Sequence, residues 1–151
     1  MVSSFSYLFF FKQSYDKLIF EGKNLCSGGN FDLGYAAIEK AIVMKPNDPR
    51  AHAMKGGCYY LQEKYLDAML ELSKSVDLRR SANLPSIGTY EFQLAFGHSL
   101  CVVGKKPQGI SNLKIALDYK PNDPKVLQLI QECSQMLDSN QIEDISANTT
   151  S

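Results

Sequence analysis

The sequence predicts an all-α chain, an α-solenoid of stacked antiparallel helix hairpins with no β-sheet. Three observations predict it. The string KPNDP occurs at 45–49 and again at 120–124. Sliding the chain by 75 residues lays Gly22 on Gly97, Leu25 on Leu100, Cys26 on Cys101, Gly34 on Gly109 and Ala41 on Ala116. Between the copies lies a shorter period of 34, which relates Gly22 to Gly56, Gly34 to Ala68 and Ile38 to Leu72. Self-similarity at such a period marks an array of small units that stack to bury a continuous core.

The units open at residues 15, 49 and 90. The third is offset from the second by 41 rather than 34, so it carries a seven-residue insert. The insert falls in RRSANLPSIG, 79–88, whose Pro, Ser and Gly predict a loop. Each unit predicts two helices, over 15–27 and 32–44, 50–61 and 65–76, and 89–103 and 107–119. Tyr35, Ile38, Ala41 and Ile42 recur at three- and four-residue spacing, the period of a buried helix face. Ser27-Gly28-Gly29-Asn30 breaks the first pair, because Gly and Asn accept the left-handed backbone that ends a helix. A last amphipathic stretch, 124–137, carries Val126, Leu127, Ile130, Cys133 and Leu137 on one side. KPNDP is the corner between hairpins. Pro46 and Pro121 disfavour helix at the preceding Lys. Asp48 and Asp123 cap the next helix, and Pro49 and Pro124 suit its first position.

A 34-residue helix–turn–helix unit with small residues at its eighth, twentieth and twenty-seventh positions and Pro at its thirty-second resembles the tetratricopeptide repeat (TPR). The signature runs Gly22, Gly34, Ala41 and Pro46 in the first unit. It runs Gly56 and Ala68 in the second, and Gly97, Gly109, Ala116 and Pro121 in the third. The sequence departs from it at His52 and Gln93, where a large apolar residue is usual, and at Arg80, where Pro is usual. The resemblance implies a right-handed superhelix. The expected domain covers 14–138, with repeats at about 15–48, 49–82 and 90–123 and a capping helix at 124–137. An apolar aromatic segment, 1–13, precedes it and a polar tail, 139–151, follows, expected to be disordered.

Hydrophobic residues make up 44% and charged residues 21%, and sixteen Lys and Arg balance sixteen Asp and Glu. That balance argues against a nucleic-acid partner. No Ser-His-Asp, HExxH, dinucleotide or P-loop pattern occurs, so an enzyme is not expected, and neither is a cofactor. Cys26 and Cys101 share the twelfth position, and Cys58 and Cys133 the tenth. Without a CxxC or Cys/His cluster they predict no metal site. They read as small buried hydrophobes in a reducing compartment, one per hairpin, rather than as disulfides. His52 reads as a packing residue. Asn148-Thr149-Thr150 matches a glycosylation sequon, incidental without a secretory signal.

The resemblance also implies a concave groove lined by the first helix of each unit. Its expected contact residues are Ile19, Lys23, Arg50, Met54, Gly57, Tyr60, Glu91, Leu94 and His98. In chaperone-tail-binding members, Lys, Asn and Arg form a carboxylate clamp. The matching positions here are Ile19, Lys23, Met54, Glu91 and Ala95, and none matches. Glu91 would repel the carboxylate that Lys attracts. A largely apolar groove suits an amphipathic helix or an apolar strand. The expected function is therefore a non-catalytic cytoplasmic adaptor or scaffold that binds a peptide or partner subunit. Two alternatives stand beside it: a membrane-associated adaptor anchored by the aromatic N-terminal run, Met1–Phe11, or a regulatory subunit of an enzyme complex. The run is about half the length of a membrane helix and lacks flanking basic residues. It could equally cap the first hairpin or fold into the groove.

Overall fold

The computed structural model describes residues 4–136, and side chains from Ser14 onward. Among these residues the chain forms seven α-helices and no strand: α1 (Ser4–Ser27), α2 (Phe31–Met44), α3 (Pro49–Leu61), α4 (Tyr65–Ser81), α5 (Tyr90–Val102), α6 (Lys106–Tyr119) and α7 (Pro124–Gln135). They pair as three hairpins, α1–α2, α3–α4 and α5–α6, with α7 against the last.

The small signature residues explain the pairing. A Cβ on Gly97 would lie 2.9 Å from the Gly109 carbonyl oxygen, so the two backbones nearly touch. In the second hairpin a Cβ on Gly56 would meet Leu72 Cγ at 2.6 Å and the Ala68 carbonyl at 3.2 Å. Ala41, Ala68 and Ala116 are fully buried. The polar residues at three packing slots each make a hydrogen bond, although Gln93 Oε1 has no partner among the described residues. Ser75 Oγ donates to the Pro49 carbonyl at 2.8 Å, and Gln93 Nε2 donates to the Ile87 carbonyl at 2.8 Å. His52 is buried, with Nδ1 2.8 Å from Glu71 Oε2 and Nε2 3.1 Å from the Pro46 carbonyl oxygen.

The corners behave as their residues dictate. Lys45 and Lys120 leave the helical region, at φ −141°, ψ 79° and φ −131°, ψ 86°. Asp48 accepts from the Arg50 amide and Asp123 from the Lys125 amide. The two lysines also fold over tyrosines: Lys45 Nζ lies 4.5 Å from the Tyr15 ring centre and Lys120 Nζ 3.6 Å from that of Tyr90. The duplicated corner thus joins the start of its own hairpin to the start of the next. Turns inside the hairpins share one design. Residue 29, 63 or 104 adopts positive φ, and the next residue's amide bonds back to the helix carbonyl five residues earlier, Leu25, Tyr59 or Leu100.

Four expectations change. First, α1 opens at Ser4, not at residue 15, because nothing between 4 and 14 is Gly or Pro. The side chains that would anchor, cap or fold back lie outside the described residues, as does the tail. Second, α4 runs on through Arg79, Arg80 and Ser81. Without Pro at position 80 nothing stops it, and two cations suit its C-terminal dipole. The insert loop is therefore 82–89. Third, α7 ends at Gln135.

The fourth correction concerns the cysteines. Cys26 is disulfide-bonded to Cys58, and Cys101 to Cys133. The Cα–Cα distances of 5.5 and 5.4 Å fit such bonds. Reading the cysteines one per hairpin overlooked that the first helices of neighbouring units lie side by side. There the twelfth position of one meets the tenth of the next.

The core follows the stack. Tyr15, Ala41 and Ala51 form one cluster, and Cys26, Ile38 and Cys58 a second. Leu72, Phe92 and Ala95 join the second hairpin to the third. Leu94, Leu113 and Ala116 meet Val126 and Leu129 of α7, which covers the face the third hairpin would otherwise leave open.

Candidate interaction groove

The first helices of the three hairpins, with the insert loop, enclose a cavity of ≈ 440 Å³. Six of the nine expected residues line it: Ile19 and Lys23 from α1, Arg50, Met54 and Gly57 from α3, and Glu91 from α5. Ala53, Ala95 and Phe92 supply more apolar wall. All five positions matched to the carboxylate clamp face this one space. Its wall there is Ile, Lys, Met, Glu and Ala.

Three expected residues sit elsewhere. Leu94 is buried against Leu113 and Val126, on the side of α5 that meets the cap. Tyr60 and His98 meet each other across the junction of the second and third hairpins, with the Tyr60 hydroxyl 3.1 Å from His98 Nδ1. Tyr65 flanks the His98 ring at 4.8 Å between centres. Burial, chiefly, lowers the His98 pKa and pushes the Tyr60 hydroxyl up to about 12. The two residues stitch a junction rather than face the cavity.

Conversely, Leu72 and Arg79 of α4 and Ile87 and Thr89 of the insert loop line the cavity unforeseen. The seven extra residues were the available signal, but their direction was not in the repeat pattern.

The electrostatics are uneven. Arg50 is committed to the corner. It pairs with Asp48 at 2.9 Å and Asp16 at 3.1 Å and lies 5.0 Å above the Tyr15 ring. Its hydrogen bonds to Asp48, foremost, raise its pKa. Arg79 Nε donates to the Pro85 carbonyl at 2.6 Å, holding the insert loop to α4. Lys23 and Glu91 are exposed, and among the described residues neither has an ion pair. Behind the groove, Lys55 bridges Glu39 at 2.6 Å and Glu71 at 3.1 Å. Burial alone would raise the Glu71 pKa, but hydrogen bonds from His52 and Lys55 outweigh it and hold the carboxyl below its ordinary value. Among the described residues no group of three His, Cys, Asp or Glu is placed to hold a metal ion. No helix there is long and apolar enough to cross a membrane.

The chain is similar to solved TPR domains. The first TPR of Spaghetti (RPAP3), bound to the HSP90 peptide SRMEEVD, superposes with a TM-score of 0.63 at 18% identity, over 82% of this chain and 92% of that one. The TPR2B domain of yeast Sti1, from a complex with pHsp70, gives 0.61 at 13% identity, over 82% and 98%. SycD, a type III secretion chaperone of Yersinia enterocolitica in complex with a peptide of the translocator YopD, gives 0.53 at 19% identity, over 85% and 93%. No family model and no curated protein matches the chain. The architecture is thus the TPR helical array: three hairpins and a capping helix.

Proposed function

We propose that the chain is a non-catalytic protein-interaction module whose concave cavity takes an apolar segment of a partner protein. The observation that carries this reading is the convergence of Ile19, Ala53, Met54 and Ala95 from three separate hairpins on one open space. An apolar concavity of this kind favours a partner's apolar side chain by removing both surfaces from water. Similar folds solved with peptides support binding of a peptide. The lining favours a different peptide from an acidic tail. Glu91 repels carboxylates at one side, and of the three cations there Arg50 is paired with Asp16 and Asp48 and Arg79 is held by the Pro85 carbonyl, while Lys23 has no ion pair among the described residues. The adaptor role is part of the same proposal.

The test uses peptides selected from a random displayed library against the full chain. Their affinities are then measured by fluorescence anisotropy on the natural chain and on an Ile19→Glu/Met54→Glu variant. Both residues are only partly buried, so the variant keeps its helical spectrum. The expected result is enrichment of apolar peptides and at least about tenfold weaker binding to the variant, roughly 1.4 kcal/mol. Equal affinity for both proteins contradicts the assignment. Leu94→Glu is unsuitable here, since it places a charge in the core beside the cap.

A further inference from the structure

The two disulfides occupy one register. Each joins the twelfth position of one first helix to the tenth of the next: α1 to α3, and α5 to α7. Each spans 32 residues. The surrounding residues are built around them. A Cβ on Gly34 would meet Cys26 Sγ at 2.5 Å, and one on Gly109 would meet Cys101 Sγ. The two units with a cysteine at the twelfth position therefore carry Gly at the twentieth, where it clears space for sulfur. The middle unit, which has Tyr60 in place of the cysteine, carries Ala68. The facing residue at that middle junction is Ser99, whose buried hydroxyl has no hydrogen-bond partner among the described residues. All four half-cystines are at most 4% exposed, and no cysteine is left free.

We infer that this array is a disulfide-stapled protein that forms and works in an oxidising compartment, where it meets its partner. Burial carries the choice between permanent and switchable bonds. Thiol–disulfide exchange needs a thiolate to reach a sulfur, and labile regulatory disulfides are strained or exposed ones. Here the Cys26 and Cys101 sulfurs lie against Gly34 and Gly109 of the facing helices, and their partners Cys58 and Cys133 are 1% and 0% exposed. Paired cysteines with none free are the pattern of oxidising compartments and are rare where glutathione keeps thiols reduced. In each bond's formation two thiols give up two protons and two electrons to a disulfide donor, an oxidised dithiol oxidoreductase or glutathione disulfide. The donor leaves as two thiols. The stapled array is two covalently closed blocks that meet at one unstapled junction, where Tyr60 and His98 supply a hydrogen bond instead.

The test equilibrates the folded full chain with glutathione buffers, up to about a hundredfold excess of the reduced form. Exposed thiols are then trapped by alkylation and peptides mapped without reduction. The expected map shows the linked pairs Cys26–Cys58 and Cys101–Cys133 and no alkylated cysteine. Full reduction with dithiothreitol should lower the melting temperature by at least about 8 °C. Four alkylated thiols in the reducing glutathione buffer, with the helical spectrum retained, would overturn the inference and return the cysteines to a reducing compartment. So would one bond opening while the other persists, since that marks an exchangeable bond. A melting temperature unmoved by reduction would overturn the structural role.

Discussion

Glycine is used in this chain for two different ends, and substitution separates them. A methyl on Gly97 would meet the Gly109 oxygen and Leu113 nitrogen, both 2.9 Å away and both backbone. Gly97→Ala should therefore destabilise by about 1–3 kcal/mol in urea melts, despite the better helix propensity of Ala. Nothing lies within 4 Å of a Cβ on Gly57, also inside a helix. Gly57→Ala should be neutral or stabilise by up to about 1 kcal/mol. Titration gives a second test. The folded-state pKa of His98 lies below its ordinary 6.5. As pH falls below 6.5, the unfolded chain binds the proton first, so stability is lost with acidification. The melting temperature should drop from pH 7 to pH 5.5 in the natural chain and drop less in His98→Gln. Equal slopes would show that His98 does not carry the effect. Glu71 acts in a lower window. Its folded pKa lies below 4.5, so its contribution is present above 4.5 and is lost as pH falls through the folded value.

Local chemistry made most elements readable. KPNDP shows its Pro stop, Asp cap and Pro start in five letters, and both copies cap the next helix alike, although Asn122 takes positive φ (61°) and Asn47 does not. What local chemistry could not show was where a helix continues without a stop signal. Hence α1 began early and α4 ran three residues into the insert. The hairpin turns carry one misfit. Gly29 and Gly104 take positive φ at no steric cost, but their counterpart in the second hairpin is Glu63, φ 58°. Glu63 is exposed and makes no ion pair among the described residues. Glu63→Gly should stabilise the protein by roughly 1 kcal/mol, read from the urea midpoint at unchanged slope. A destabilised variant would mean that Glu63 makes a contact worth more than the backbone strain.

At the scale of the molecule, the repeat period was enough to predict the stack and its cap, and of the nine positions that the TPR resemblance implied for a groove, six line one cavity. Two kinds of fact escaped it. Leu94, Tyr60 and His98 were assigned by position number. Whether a residue faces the groove or the next hairpin depends on how neighbouring first helices are rotated, and that is set by packing across units. The disulfides escaped for the same reason. Their signal, two pairs each 32 residues apart, is legible only when neighbouring first helices are laid side by side. The cavity, with its wall from α4 and the insert loop, is likewise a property of assembled hairpins.

The central claim is that partner binding happens in this concavity and through its apolar wall. Methyl NMR of the full chain, titrated with a library-selected peptide, tests it at single residues. The account predicts shifts at the methyls of Ile19, Ala53, Met54 and Ala95, with those of the exposed Leu33, Val43 and Leu70 on the second helices unmoved. Shifts concentrated on Leu33, Val43 and Leu70, with Ile19 and Met54 silent, would contradict it and move the interaction surface to the outer face.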